Sequence, residues 1–226
     1  MPRIAVLPDT LASQVAAGEV VERPASVLKE LIENSLDAQA THIEVEVRKG
    51  GVALLKVTDN GHGMDRENAL LCLERHATSK LQDADGLTAI LTHGFRGEAL
   101  PSIASVARFR LTTNDDPRSP ATEVTVEGGT VLNVGEAARA AGTTIEVKDL
   151  FYNIPARRKF LKSESTEYAH LEHVVRLSAL GNAHVRYTFK NNGRVLWDLK
   201  PSTDRRTRIA DITGCLLYTS PSPRDA

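Results

Sequence analysis

The stretch from Pro24 to Ala38, PASVLKELIENSLDA, constrains the fold of this chain more than any other. Pro24 suits the first turn of a helix, where its missing N–H costs nothing. Val27, Leu28, Leu31, Ile32 and Leu36 recur at helical spacing and make a broad apolar arc. A helix with such an arc needs a second layer to bury it. The opposite side carries Glu30, Asn34 and Asp37, which at roughly 100° per residue fall into one stripe of two carboxylates and an amide. Such a stripe is a solvated face or the wall of a site, and other stretches decide between the two.

Residues 40–49 alternate, with Ile43, Val45 and Val47 on one face, as in a half-buried strand. Gly50-Gly51 supports a tight turn, and residues 52–58 read as the returning strand of a hairpin. That strand runs into Asp59-Asn60-Gly61-His62-Gly63-Met64. Glycines spaced by one residue let a backbone approach a ligand closely, although a plain turn has the same look. Arg66 stands where a dinucleotide fingerprint needs its third glycine, and no Walker-type phosphate loop occurs. Asp65 is placed to cap a helix over residues 65–75, with Leu70, Leu71 and Leu73 turned inward. Regularity is weak from His76 to His93. Gly94-Phe95-Arg96-Gly97 then precedes a helix, and N–H groups at a helix start form an anion site.

Strands are expected at 107–113, 122–126, 130–134 and from Gly142 to Val147. A short basic helix follows at 156–161, and a longer one, capped by Ser165, runs to Leu180. Residues 185–189 and 195–199 make a hairpin around Asn191-Asn192-Gly193, and another helix starts near Arg205. Helices interspersed with antiparallel hairpins predict an α+β fold, with one mixed sheet covered by helices.

Composition narrows the functional classes. With 28 basic and 29 acidic residues the net charge is -1, so nucleic-acid contact has to come from local patches. Arg157, Arg158, Lys159 and Lys162 form one such patch, and Arg205, Arg206 and Arg208 another; each is equally a solvated helix face. Cys72 and Cys215 make neither a disulfide framework nor a metal pattern, and Cys72 reads as a small buried thiol. His62 and His76 lack ligand neighbours. No apolar run is long enough to span a bilayer, and a reducing, cytoplasmic setting is expected.

In order and spacing, ELIENSLDA, DNGHGM, RHATSK, GFRGEAL and GTT resemble the GHKL ATPases. Within that superfamily AAGEVVERPASVLKELIENSLDA, HATSKL, GFRGEALPSIASV and DLFYNIPARRKFLKS are similar to the MutL family of DNA mismatch-repair proteins, from about Ile4 to Gly214. The resemblance implies a two-layer α/β sandwich of the Bergerat type binding ATP and Mg²⁺. Glu30 would be the general base and Asn34 the Mg²⁺ ligand, with Asp37 supporting the stripe. Asp59 would accept a hydrogen bond from the adenine amino group, beside a wall of Gly61, Gly63 and Met64, with Thr143 closing the pocket. Residues 76–98 would form an ATP lid. Within it Thr78, Ser79 and Lys80, with Gly94, Phe95, Arg96 and Gly97, would approach the phosphates.

The resemblance further implies a homodimer formed on ATP binding through the N-terminal arm. It implies sequence-independent DNA contact, action after a MutS-type mismatch-recognition protein, and recruitment of a downstream nuclease or helicase near the nucleoid. Residues 1–200 are expected to be the ATPase domain. Residues 201–215 would be a linker and the start of a truncated second domain, and 216–226 a disordered, non-native tail. The family's γ-phosphate lysine belongs to that second domain, so weak hydrolysis is expected here. The alternatives are a nucleotide-binding DNA scaffold without turnover and another GHKL ATPase of the topoisomerase or chaperone kind.

Overall fold

The computed structural model describes residues 21–74 and 98–213. Helix α1, Pro24–Asp37, leads into the hairpin β1, His42–Arg48, and β2, Leu54–Asp59. Two short helices follow, α2 at Arg66–Leu71 and α3 at Ala99–Ser105. A meander of β3, Arg108–Asn114, β4, Ala121–Glu127, and β5, Thr130–Ala137, then leads to β6, Gly142–Lys148. The basic helix α4, Pro155–Phe160, and the long helix α5, Glu164–Gly181, precede the hairpin β7, Arg186–Asn191, and β8, Arg194–Leu199. Helix α6, Arg205–Thr213, is the last described element.

All the described strands join one sheet in the order β5-β4-β3-β6-β2-β1-β7-β8. Only β1 and β7 pair in parallel; the other neighbours are antiparallel, so the sheet is mixed and mostly antiparallel as expected. Strand periodicity of two separates its faces. Ile43, Val45, Val47, Phe109, Leu111 and Val147 are wholly buried beneath the helical layer. The alternate positions form an open face of paired charges, such as Lys56–Glu146 at 3.1 Å and Arg108–Glu127 at 3.1 Å. Balanced pairs of this kind contribute little stability, and they make the open face a poor electrostatic match for a polyanion.

The arc of α1 meets the sheet as its spacing demands, with Val27, Leu28, Leu31 and Ile32 at most 1% exposed. Helix α5 packs beside α1 and buries Leu171, Val175 and Ala179. Three local expectations change. Ser163, not Ser165, caps α5, its Oγ accepting from the Thr166 N–H at 3.3 Å. The earlier start places Glu164 and Glu167 in the first turn, where the helix dipole favours carboxylates. In α2, Leu70 and Leu71 are exposed because the side that meets the core is that of Ala69, followed by Cys72 and Leu73, and Leu70 and Leu71 are turned away from it. Arg208 leaves the basic patch: it is completely buried, and its Nη2 donates to the carbonyls of Ala183, Val185 and Lys200 at 2.6, 2.8 and 2.9 Å. Those bonds fasten α6 to the β7–β8 hairpin.

Candidate nucleotide site

The site lies where the C-terminal end of α1 meets the ends of β2 and β3 and the start of β6. Asp59, the last residue of β2, is 7% exposed. Its Oδ1 accepts from the Gly61 N–H at 2.9 Å and the Thr143 N–H at 3.2 Å, and its Oδ2 from the Ser35 hydroxyl at 2.9 Å. Ser35 also lies 3.1 Å from the Leu31 carbonyl. Its single proton goes preferentially to the carboxylate, since hydrogen bonds to an ionised acceptor are the stronger. Burial pushes the Asp59 pKa above the ordinary carboxylate value, against the downward pull of Gly61, Ser35, Thr143 and the positive charge of Arg139. A carboxylate held dry by this many donors is what a recognition site requires.

The loop after Asp59 is stitched to its surroundings by backbone. The His62 N–H donates to Ala38 O at 3.0 Å, and the Met64 N–H to Thr113 Oγ1 at 2.9 Å. Thr113 Oγ1 in turn lies 3.0 Å from Thr143 Oγ1. The two glycines are required by space. A Cβ on Gly61 would stand 2.6 Å from Ala38 O, and one on Gly63, at φ +70°, would overlap the Asn114 carbonyl oxygen. Gly63→Ala is therefore expected to lower stability by about 2 kcal/mol or more, read as a fall in the urea midpoint at constant m-value. An unchanged midpoint would show that the loop relaxes freely.

Asp59, Gly61, Met64 and Thr143 thus come together, with Gly63 between them on the loop. Thr143 contributes its main-chain N–H to Asp59, while its hydroxyl pairs with that of Thr113. Glu30, Asn34 and Asp37 lie half-buried along α1, and Ser35 ties that helix to Asp59. Thr78, Ser79, Lys80, Gly94, Phe95, Arg96 and Gly97, like the N-terminal arm and the 216–226 tail, lie outside the described residues. Reading the sequence missed Ser35, Thr113 and Arg139. Ser35 had a signal: it lies seven residues after Leu28, a polar residue inside the apolar arc. Cys72 is half-buried against the core rather than fully buried, and its removal from solvent pushes the thiol up to about 12.

Comparison with known proteins agrees with this fold. The family described as histidine kinase-, DNA gyrase B- and HSP90-like ATPase matches residues 22–144, which run from α1 through Thr143. The chain is 58% identical over 226 residues to the DNA mismatch repair protein MutL of Anaeromyxobacter dehalogenans strain 2CP-C, covering 100% of this chain and 37% of the relative. It is 54% identical over 213 residues to MutL of Akkermansia muciniphila, covering 94% of this chain and 34% of that protein. Among solved structures, the Aquifex aeolicus MutL ATPase domain complexed with ADP superposes with a TM-score of 0.69 at 35% identity, over 86% of this chain and 70% of that one.

Fold and comparisons together define an ATPase domain of the GHKL class. Within that class the chain belongs to the MutL family of DNA mismatch-repair proteins. It spans little more than a third, 37%, of the length of the A. dehalogenans relative.

Proposed function

We propose that this chain is the ATP-binding and slowly hydrolysing part of a mismatch-repair clamp. The observation that carries the reading is Asp59, buried and holding three donors on about four acceptor sites. One site is left for a ligand, and an anionic acceptor selects the adenine amino group over the guanine carbonyl. The Aquifex domain, whose structure is described as complexed with ADP, supports nucleotide binding by this fold.

Glu30 is the general base that orients a water toward the γ-phosphate and accepts its proton. Asn34, one turn on, offers an amide oxygen to Mg²⁺. The fit rests on the donor set. Among the described residues no group of three or more His, Cys, Asp or Glu is placed to hold a metal, whereas Mg²⁺ needs few protein oxygens and takes phosphates and waters as the rest. When bound, the ion neutralises phosphate charge. Asp37 supports the stripe, and Gly61, Gly63 and Met64 wall the base. Thr78, Ser79 and Lys80, with the N–H groups of residues 94–97, close over the phosphates as a lid. Asn34→Ala is expected to abolish the Mg²⁺-dependent part of ATP affinity while leaving Mg²⁺-free ADP binding near wild type, measured by calorimetry with and without EDTA.

Once ATP is bound the N-terminal arm packs across a twofold axis and joins two copies, making ATP a population switch between open and closed states. The clamp acts after a MutS-type protein, in the cytoplasm beside the nucleoid, and recruits a nuclease or helicase. DNA contact is to phosphates and salt-sensitive, supported by the exposed Arg158, Lys159, Lys162, Arg205 and Arg206. Arg157 is the weaker candidate, since its Nη1 donates to Val21 O at 3.0 Å. Single-turnover hydrolysis of Mg-ATP, with hydrogen exchange over residues 76–98, tests the function. Hydrolysis with nucleotide-dependent protection is expected. Binding without turnover would favour the scaffold alternative.

A further inference from the structure

Strands β2 and β6 pair from Leu54↔Lys148 to Thr58↔Thr144. Past that rung side chains hold them together. The Thr143 N–H meets Asp59 Oδ1, while Arg139, on the connection from β5 to β6, donates from Nη2 to the Asp59 main-chain oxygen at 2.6 Å and from Nη1 to Thr144 Oγ1. Strand alternation places Thr144 with Glu146 on the open face of the sheet, whereas the Asp59 carboxylate meets Ser35 on the helical side. Arg139 therefore grips from behind the residue whose side chain lines the pocket. We propose that Arg139 is a positioning residue for adenine recognition, fixing the Asp59 main chain from the open face and lending the buried carboxylate a compensating charge. The proposal rests on the assignment of Asp59 to adenine.

Charge supports the geometry. The elements around Asp59 carry Glu30, Glu33 and Asp37 on α1, His62 on the following loop, and Lys56, Glu146 and Arg139 on the sheet side. Among them Arg139 is the group whose charge bears on the carboxylate, favouring its ionised form. Asp59 in return holds the Arg139 guanidinium charged against the effect of burial. Removing the cation moves the Asp59 pKa further up, so less carboxylate is ionised at a given pH.

The test is calorimetric titration of ADP into the whole chain from acid to neutral pH, with thermal unfolding of each variant. Wild type should bind at neutral pH and lose affinity as Asp59 takes up a proton. Arg139→Gln should bind about tenfold more weakly at neutral pH, with the loss displaced to higher pH. Arg139→Lys keeps the charge, and its loss should return toward the wild-type pH even if affinity stays reduced. An Arg139→Gln profile superimposable on wild type would overturn the proposal. Should Arg139→Gln fail to fold, Thr144→Val removes one guanidinium anchor and keeps the charge. Weaker ADP binding at an unmoved pH is then expected, and unchanged binding would overturn the positioning role. Failure of the underlying assignment looks different: Asp59→Asn would keep the acid loss of affinity, whatever Arg139 does.

Discussion

Replacing Glu30 by alanine is expected to leave ATP binding within about threefold of wild type and to lower single-turnover hydrolysis by about 10²–10⁴-fold. The separation follows from where the residue stands. Glu30 is half-buried on the polar side of α1, while its neighbours Leu28 and Leu31 fix the helix to the core at 0% and 1% exposure. Alanine is the better helix former and leaves no cavity in that core, and a thermal melt of the variant separates a loss of turnover from a loss of fold. Glu30→Gln keeps the volume and a hydrogen-bonding oxygen but accepts no proton at neutral pH, and it should fall as far as alanine. Equal single-turnover rates for wild type and both variants would remove Glu30 from the base role.

The second large effect is at Asp59, where asparagine dissects recognition from folding. An amide oxygen can still accept from the Gly61 and Thr143 N–H groups, and Ser35 can turn its proton to Leu31 O and accept from the new amide nitrogen. The pocket is thus kept, but a donor now faces the adenine amino group. ADP affinity should drop about 10–100-fold, and discrimination against GDP, whose carbonyl welcomes a donor, should shrink. Stability should move the other way. The folded pKa of Asp59 lies above its ordinary 3.8. Between those two values the folded chain holds more protons than the unfolded one, and stability falls as pH rises through that window. At neutral pH the ionised carboxylate is therefore a cost that asparagine removes. Asp59→Asn should unfold at or above the wild-type temperature at pH 7, with the advantage fading in acid. A lower melting temperature together with intact ADP binding would contradict both halves.

Much of this was legible from pattern alone. The arc of α1, the alternation of β1 and the turn at Gly50-Gly51 each carry one local period, and local period determines which face is buried. The glycines after Asp59 were legible as close approach, although not what they approach: Ala38 and Asn114 are known only once the sheet is assembled. Arg139 and Arg208 were not legible. Arg139 sits in AARAAG with no periodicity to mark it, and its acceptor lies 80 residues back along the chain. Arg208 looked like one of three surface cations, because nothing local tells a guanidinium on three distant carbonyls from one in water. Leu70 and Leu71 failed the opposite way: they looked like the core side by their size, whereas the small Ala69 sets the buried face and turns them outward.

The central claim is that the stripe of α1 and the buried Asp59 form two sides of one adenine-nucleotide pocket. Its most direct test is calorimetric titration of the wild-type chain with Mg-ADP and, separately, Mg-GDP at neutral pH. Saturable 1:1 binding of ADP is expected, with GDP at least about 100-fold weaker because its carbonyl would face the Asp59 carboxylate. Equal affinity for the two nucleotides, or no heat with ADP, would contradict it.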